Sequence, residues 1–364
     1  MSSEMKPVLV ALSGGVDSSV AAAMLVDQGV PVVGAYMKNW INEVEVVGNC
    51  PWQQDVDDAR AVAEVLGIEF RIVNLMEEYK ARVVAYLLAG YQEGITPNPD
   101  VMCNREIKFG VFLDYAMTHG FSAVATGHYA RNRPLDDGSW EIRSGLDPNK
   151  DQTYFLALMN QRQVAHARFP IGGTTKPGVR ELAREFQLPN AEKKDSQGIC
   201  FIGEVKMADF LEAYIEDEPG PIVNQAGERL GAHRGLHYYT LGQRKGIGVA
   251  SNTFKEAFVV VEKRKEANEL VIAFDQPDTP RLYAQDCVIS HLSFTNKPVN
   301  EVRELLARPR YRAPSTRVRF EPIGDEKARV HFHEPQRALA CGQVFALYEE
   351  DVLLGGGIFT SIEY

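Results

Sequence analysis

The sequence predicts an α/β chain: a doubly wound parallel sheet in the N-terminal part, then a small central domain and a C-terminal antiparallel β-barrel. Three observations predict it. Up to about residue 205, short apolar runs alternate with helix-periodic segments, the pattern of parallel strands joined by crossover helices. Beyond Gly203 the pattern changes to short alternating stretches separated by turn residues, as in small antiparallel barrels. Between the first strand and the first helix stands Ser13-Gly14-Gly15-Val16-Asp17-Ser18-Ser19, a loop at the edge where α/β sheets bind ligands.

The elements follow in order. Pro7 to Leu12 is a short apolar strand, SSVAAAMLVDQ has helical spacing and stops at Gly29, and Val30 to Met37 is a second buried strand. From Asp55 to Gly67, residues Val56, Ala59, Val62, Ala63 and Leu66 recur at helical intervals and Gly67 ends the helix. IEFRIVNL reads as a strand, and Ser122 to Thr126 as another, directly before Gly127. MADFLEAY keeps helical spacing until Pro219, Gly220 and Pro221 break it. GLHYYTLGQ, AFVVVEK, NELVIAF, TRVRFEPI, ARVHFHEP and QVFALYE then read as short strands; in ARVHFHEP, Val330 and Phe332 face one side and Arg329, His331 and His333 the other. The expected domains are 1–205, 206–276 and 277–364.

At 364 residues, two or three domains are expected. A composition of 45% hydrophobic and 24% charged residues excludes a largely disordered chain. The formal charge of −10 argues against nucleic acid over the whole surface, though not against a local basic patch. No apolar run nears the roughly 18 residues of a membrane span, and the N-terminus has no signal or transit organisation. Five scattered cysteines make no disulfide scaffold, and no CxxC pair suggests zinc or an iron–sulfur cluster. A cytoplasmic protein is expected. His233 and His237 lack ligand partners at suitable spacing and read as strand or loop histidines, so no protein-held metal is predicted.

In the Ser13–Ser19 loop, two glycines let the backbone approach an anion and the helix N-terminus aims free N–H groups at it. The serine hydroxyls add donors, and Asp17 is placed to share a magnesium ion with phosphate. No GxxxxGK[ST] or GxGxxG occurs. Cys50, Cys287 and Cys341 read as small buried hydrophobes. Cys103 and Cys200 stand apart because Arg105 and Lys108, and Lys193 and Lys194, lie near them in sequence, where cations depress a thiol pKa if the fold brings them close. Asp100 precedes Cys103 by one helical turn, within reach for proton transfer.

SGGVDSS resembles the PP-loop of the ATP pyrophosphatases, which split ATP into AMP and pyrophosphate. The segments SGGVDSS, MKNW, TPNPDVMCNREIKF, ATGHYA, GLDPNKDQTYFL, KKDSQGICFIGE, GLHYYTLGQRKGIGV, RPRYR and LGGGI occur in this order from residue 13 to 358. Together they resemble the bacterial tRNA-specific 2-thiouridylases over essentially the whole chain. The resemblance implies an adenine-nucleotide-hydrolase-like N-terminal domain and replacement of the wobble uridine C2 oxygen by sulfur in the tRNAs for lysine, glutamate and glutamine. It implies Cys103 as nucleophile, Cys200 as persulfide carrier and Asp100 as acid/base. ATP, with Mg2+ expected alongside, is implied to contact Ala11, Leu12, Ser13, Gly14, Gly15, Val16, Asp17, Ser18, Met37 and Gly127.

Adenylating the uracil oxygen turns a poor leaving group into AMP. Two thiols then divide the sulfur chemistry: one holds a terminal sulfur and the other attacks it, leaving a disulfide for an external reductant. The sequence does not decide whether the persulfide attacks the base directly or releases sulfide first. A sulfur-donor relay protein is the expected partner, since no pyridoxal-phosphate site is evident.

The anticodon arm is the second expected partner. Between Arg303 and Arg319 lie six arginines and one acid, with Tyr311 between Arg310 and Arg312, a phosphate-and-stacking composition. The resemblance adds Lys150, Asp151 and Gln152 as anticodon-arm contacts and Asn98, Pro99 and Asp100 as contacts to the target base. Two rivals stand beside this reading: a PP-loop enzyme that adenylates for attack by nitrogen, and a non-catalytic tRNA or nucleotide binder.

Overall fold

The computed structural model describes residues 5–40, 52–194, 206–251, 256–324 and 326–364. Five parallel strands form the first sheet: β1 (Val8–Ala11), β2 (Val32–Lys38), β3 (Glu69–Asn74), β4 (Ala123–Ala125) and, after a hairpin described below, β7 (Ala167–Arg168), in the order β3-β2-β1-β4-β7. The strand β1 is central, which is why VLVA is apolar throughout and fully buried. Its alternate residues enter different cores. Leu9 and Ala11 pack with Met37, Cys103, Phe109 and Phe112, while Val8, Val10 and Leu12 pack with Val16, Val20, Val56 and Ala59. Helices thus cover both faces, as the doubly wound reading expects. The helices nearest the site on the second face are α1 (Val16–Asp27) and α2 (Trp52–Leu66). In α2 the expected stripe Val56, Ala59, Val62 and Ala63 is buried, with Leu66 half-buried.

The hairpin β5 (Ala130–Pro134) and β6 (Trp140–Ser144) leaves this sheet altogether. It extends the C-terminal sheet by pairing Leu353 with Ile142. A segment from the expected first domain therefore belongs to the same sheet as the barrel.

The middle of the chain forms a mixed four-stranded sheet of β8 (Gly220–Val223), β9 (Arg229–His233), β10 (Phe258–Arg264) and β11 (Glu269–Phe274), ordered β10-β11-β8-β9 with β11 and β8 parallel. GLHYYTLGQ, expected as a strand, instead makes a 3-10 turn at Leu236–Tyr238. Leu236, Tyr238, Tyr239 and Leu241 all pack on one cluster with Ile222, Val260 and Ile272, a clustering that a period of two cannot produce.

The C-terminal strands are β12 (Tyr283–Phe294), β13 (Arg303–Arg308), β14 (Thr316–Pro322), β15 (Lys327–Arg337), β16 (Val344–Glu349) and β17 (Val352–Glu363). They run antiparallel in the order β12-β15-β14-β13-β16-β17, and pairing of β12 with β17 closes the barrel. Its interior is filled by Cys287, Val318, Phe320, Val330, Phe332, Phe345 and Phe359, with Phe345 edge-on to Phe332 and Phe359 at 6.2 and 5.8 Å. Among the described residues, no helix is long and apolar enough to cross a membrane.

Candidate active site

The strand order reverses direction of winding between β1 and β4, and the loops after these two strands flank the crevice where open α/β sheets take ligands. Ser13 to Gly15 follow β1 and α1 begins at Val16. Gly15 caps α1 in an extended conformation with no side-chain cap, so the first N–H groups of the helix keep their capacity for an anion. The hydroxyls hold the loop's shape: Ser18 Oγ accepts from Ser13 N at 3.2 Å, and Ser18 Oγ and Ser19 Oγ each donate to Gly15 O at 2.9 Å. Asn190 reaches in from a distant segment, its Nδ2 donating to Gly14 O and Ser19 Oγ at 2.9 Å each.

Two glycines are required by close approach. Gly14 has φ +75°, and a Cβ there would stand 2.5 Å from Asp55 O. Gly14→Ala is therefore expected to cost about 1–3 kcal/mol and to deform the loop, so that the thermal midpoint and ATP affinity fall together; unchanged ATP affinity would contradict the loop's role. At Gly127 a Cβ would lie 2.6 Å from the backbone of Asp17 and Ser18, so the β4 loop rests directly on the start of α1. Met37 is buried at the end of β2.

Asp17 is not a lone carboxylate. Lys176 Nζ, at the start of the helix Lys176–Glu185, donates to Asp17 Oδ1 at 2.8 Å, and the Tyr129 hydroxyl donates to the same oxygen at 2.9 Å. Sequence reasoning misses Lys176, Tyr129 and Asn190. The one local signal is Thr175, whose side chain caps the helix that carries Lys176. Among the described residues no group of three metal-binding side chains occurs. Asp17 at the loop is the donor that fits a magnesium ion arriving on ATP phosphates, since such ions take one or two carboxylates and keep most of their water.

Asn98, Pro99 and Asp100 open a helical run, Pro99–Met102, Cys103–Val111 and Phe112–Thr118. The Asn98 side chain caps it by accepting from Val101 N at 3.2 Å, and Pro99 is suited to the first turn. From Cys103 to Val111 the run is π-helical, a widening often found at functional sites. Met76–Tyr79, directly beyond β3, packs on this widened stretch, which places it near the carboxyl edge of the sheet. Cys103 is a fully buried thiol in the same core as Met37. One turn before it, Asp100 Oδ1 is buried with no partner among the described residues. Next to it, Asn104 Nδ2 donates to Asp100 O at 3.1 Å and Phe155 O at 3.3 Å.

The loop before Asn98 is held by the turn that precedes β16 and by the segment that follows the 3-10 turn Leu236–Tyr238. Thr96 N donates to Cys341 O at 3.0 Å, Gln343 Nε2 to Thr96 O at 2.8 Å, and Thr96 Oγ1 to Thr240 Oγ1 at 3.4 Å. On the β4 side, His128 is enclosed by Phe109 and Phe169 and hydrogen-bonded to Thr126 Oγ1 at 2.7 Å. Burial, with Lys108 adding to it, holds His128 well below its ordinary pKa, so the ring is neutral at neutral pH.

Cys200 and Cys50 lie outside the described residues. Lys193, close to Cys200 in sequence, has Nζ at 2.8 Å from Asp55 and 2.6 Å from Asp58, so its charge is matched by two carboxylates. Burial raises the thiol pKa of both Cys287 and Cys341, which makes them poor nucleophiles. Cys287 is a core residue as expected, whereas Cys341 is half-buried beside Ile95 and Lys263 in a cavity of about 380 Å³.

The residues expected to meet RNA gather around the 3-10 turn Thr153–Leu156. The Tyr154 hydroxyl donates to Val344 O at 2.9 Å, and the Tyr311 ring lies 4.3 Å from that of Phe155 and 6.1 Å from that of Tyr154. Arg310 and Arg312 are exposed with no carboxylate partner among the described residues, and Arg312 sits over the Tyr311 ring. Asp151 is engaged within the protein. Its carboxylate is turned inward and 6% exposed, accepting from Gly145 N and Thr153 Oγ1 at 3.0 Å and pairing with Arg308. These bonds shape the turn. Gln152 Oε1 accepts from Tyr129 N at 3.0 Å, which ties this segment to the residue that holds Asp17. Of the remaining arginines in the run, Arg303 pairs with Glu349, while Arg317 and Arg319 stand exposed on the outside of β14.

Three family profiles match in succession: "tRNA methyl transferase HUP domain" at residues 6–204, "tRNA methyl transferase PRC-barrel domain" at 208–274 and "Aminomethyltransferase beta-barrel domain" at 284–359. The tRNA-specific 2-thiouridylase MnmA of Akkermansia muciniphila is 55% identical over 359 residues, spanning 99% of this chain and 100% of that protein. The enzyme of the same name from Neisseria meningitidis serogroup B is 45% identical over 356 residues, 98% of this chain and 96% of its own. A solved complex of a 4-thiouridine synthetase with RNA and bound ATP overlaps with a TM-score of 0.35 at 17% identity, covering 57% of this chain and 50% of that one, too slight a likeness to carry an argument.

Proposed function

The chain belongs to the tRNA-specific 2-thiouridylase family, and from that premise we propose that it thiolates C2 of the wobble uridine in the tRNAs for lysine, glutamate and glutamine. It is an ATP-dependent sulfurtransferase that modifies tRNA. The observation that supports the residue-level reading is that β1, which leads into an uncapped glycine-serine loop, shares one core through Leu9 and Ala11 with the widened helix that carries a buried thiol.

In this reading the Ser13–Ser18 loop and the α1 N-terminus hold the pyrophosphate portion of ATP, with Ala11, Leu12, Met37 and Gly127 around the nucleoside. Lys176 lies close enough to the loop to balance phosphate charge, and Tyr129 keeps Asp17 oriented. Magnesium, when bound with ATP, neutralises charge on the phosphates. The uracil C2 oxygen takes the AMP moiety and pyrophosphate leaves. Asp100 is the acid/base, one helical turn from Cys103. A separate donor protein loads sulfur on Cys200, and Cys103 attacks that persulfide or resolves it, so that the pair ends as a disulfide. Formation of AMP and pyrophosphate only when unmodified tRNA is present tests the adenylation step; nucleotide turnover indifferent to tRNA would point to a small-molecule synthetase.

The tRNA contacts are assigned to Asn98, Pro99, Asp100, the segment Lys150, Asp151 and Gln152, and the turn Arg310–Arg312. Arg310→Ala or Arg312→Ala should weaken tRNA binding and flatten the slope of log affinity against log salt by about one for each phosphate no longer neutralised. An unchanged slope would assign these arginines to a solvated turn.

A further inference from the structure

Asn39 stands one residue beyond β2, at the edge of the sheet next to the β1 loop. It is 1% exposed, and neither Nδ2 nor Oδ1 has a hydrogen-bond partner among the described residues. Among the described buried side chains, Asn39 alone has both a donor and an acceptor unmatched. Such a group weakens the ligand-free fold, because desolvation of two polar atoms is not repaid. The flanking side chains are already committed. Lys38 lies over the Trp52 ring at 5.0 Å, and Trp40 packs against Tyr79 and Phe210 at 6.4 and 6.2 Å. These contacts fix the backbone on both sides and leave the amide as the polar group of the segment without a structural task.

An uncharged amide offers one donor beside one acceptor. A phosphate uses only donors and a cation only acceptors, so neither matches both atoms. A nucleobase edge does: adenine presents N6–H beside N1 or N7, and uracil presents N3–H beside O4. Asparagine paired to adenine in this way is a recurrent recognition contact. We propose that Asn39 is a specificity-determining residue that pairs with the donor–acceptor edge of a nucleobase in the active site, either the adenine of ATP or the target uracil. The inference rests on the functional reading above.

The test uses the full-length protein with Asn39→Ala, Asn39→Leu and Asn39→Asp. Ligand-free Asn39→Leu should melt at the same temperature as the unsubstituted protein or a few degrees higher, because an unpaired amide is replaced by an apolar group of similar size. Asn39→Asp keeps the shape and loses the donor. If adenine is the partner, the Ala and Asp variants bind ATP at least roughly tenfold more weakly while inorganic pyrophosphate binding is unchanged. If uracil is the partner, ATP binding is retained and tRNA-dependent AMP formation falls by a similar factor. Either result supports the pairing. ATP binding and tRNA-dependent AMP formation both within twofold of the unsubstituted protein would overturn it. Failure of the unsubstituted protein to bind ATP would instead sink the functional reading, and this inference with it.

Discussion

Cys103→Ser should abolish 2-thiouridine formation with a protein sulfur donor, lowering turnover by roughly three orders of magnitude or more, while leaving the protein folded. The thiol is fully buried among apolar residues at the first turn of the widened helix, and an oxygen in its place keeps the size and loses the nucleophile. A hydroxyl there costs no more than a few kcal/mol, so ATP and tRNA binding should persist. The variant should accept labelled sulfur on Cys200 and stall with the persulfide retained. Cys200→Ser should lose sulfur acceptance outright and also make no product with the protein donor. Label found on Cys103 in the Cys200→Ser variant would reverse the two roles. Normal product from either variant would remove the paired-thiol mechanism.

Asp17→Ala should lower tRNA-dependent AMP formation by about a hundredfold or more with tRNA affinity nearly unchanged. The carboxylate lies in the first turn of α1 and is fixed by Lys176 and Tyr129. Removing it deprives the loop of its magnesium-compatible donor and releases Lys176 from its position. Lys176→Met should reproduce much of the loss, because a cation beside the loop is then missing where pyrophosphate charge develops. The expected signature is a fall in AMP formation with unaltered tRNA binding. Full turnover in Asp17→Ala would remove the phosphate-loop assignment, and full turnover in Lys176→Met would limit that lysine to holding α1.

What is legible in the sequence is what is local. The phosphate loop, its glycines and its place between strand and helix are contained in Ser13–Ser19, so their physics is readable from neighbours alone. The Asp100–Cys103 spacing lies within one turn and is likewise visible. The alternation of Val330 and Phe332 with His331 and His333 follows from strand geometry and is observed. The residues that sequence reasoning misses act across distance. Lys176 and Tyr129 meet Asp17 only because β4 and the helix Lys176–Glu185 fold back onto α1. The inward turn of Asp151 depends on Arg308, a strand of the barrel away. Nor does anything local in Ala130–Ser144 say that this hairpin will pair with β17 instead of the sheet it follows.

The most direct measurement is the nucleoside composition of tRNA after incubation of the purified protein with unmodified tRNA, ATP, magnesium and sulfide. Under the proposed function, mass analysis finds 2-thiouridine at the wobble position, with AMP formed alongside it, in the tRNAs for lysine, glutamate and glutamine. Uridine left unchanged there while ATP is consumed, or sulfur placed at a different nucleoside, would contradict it.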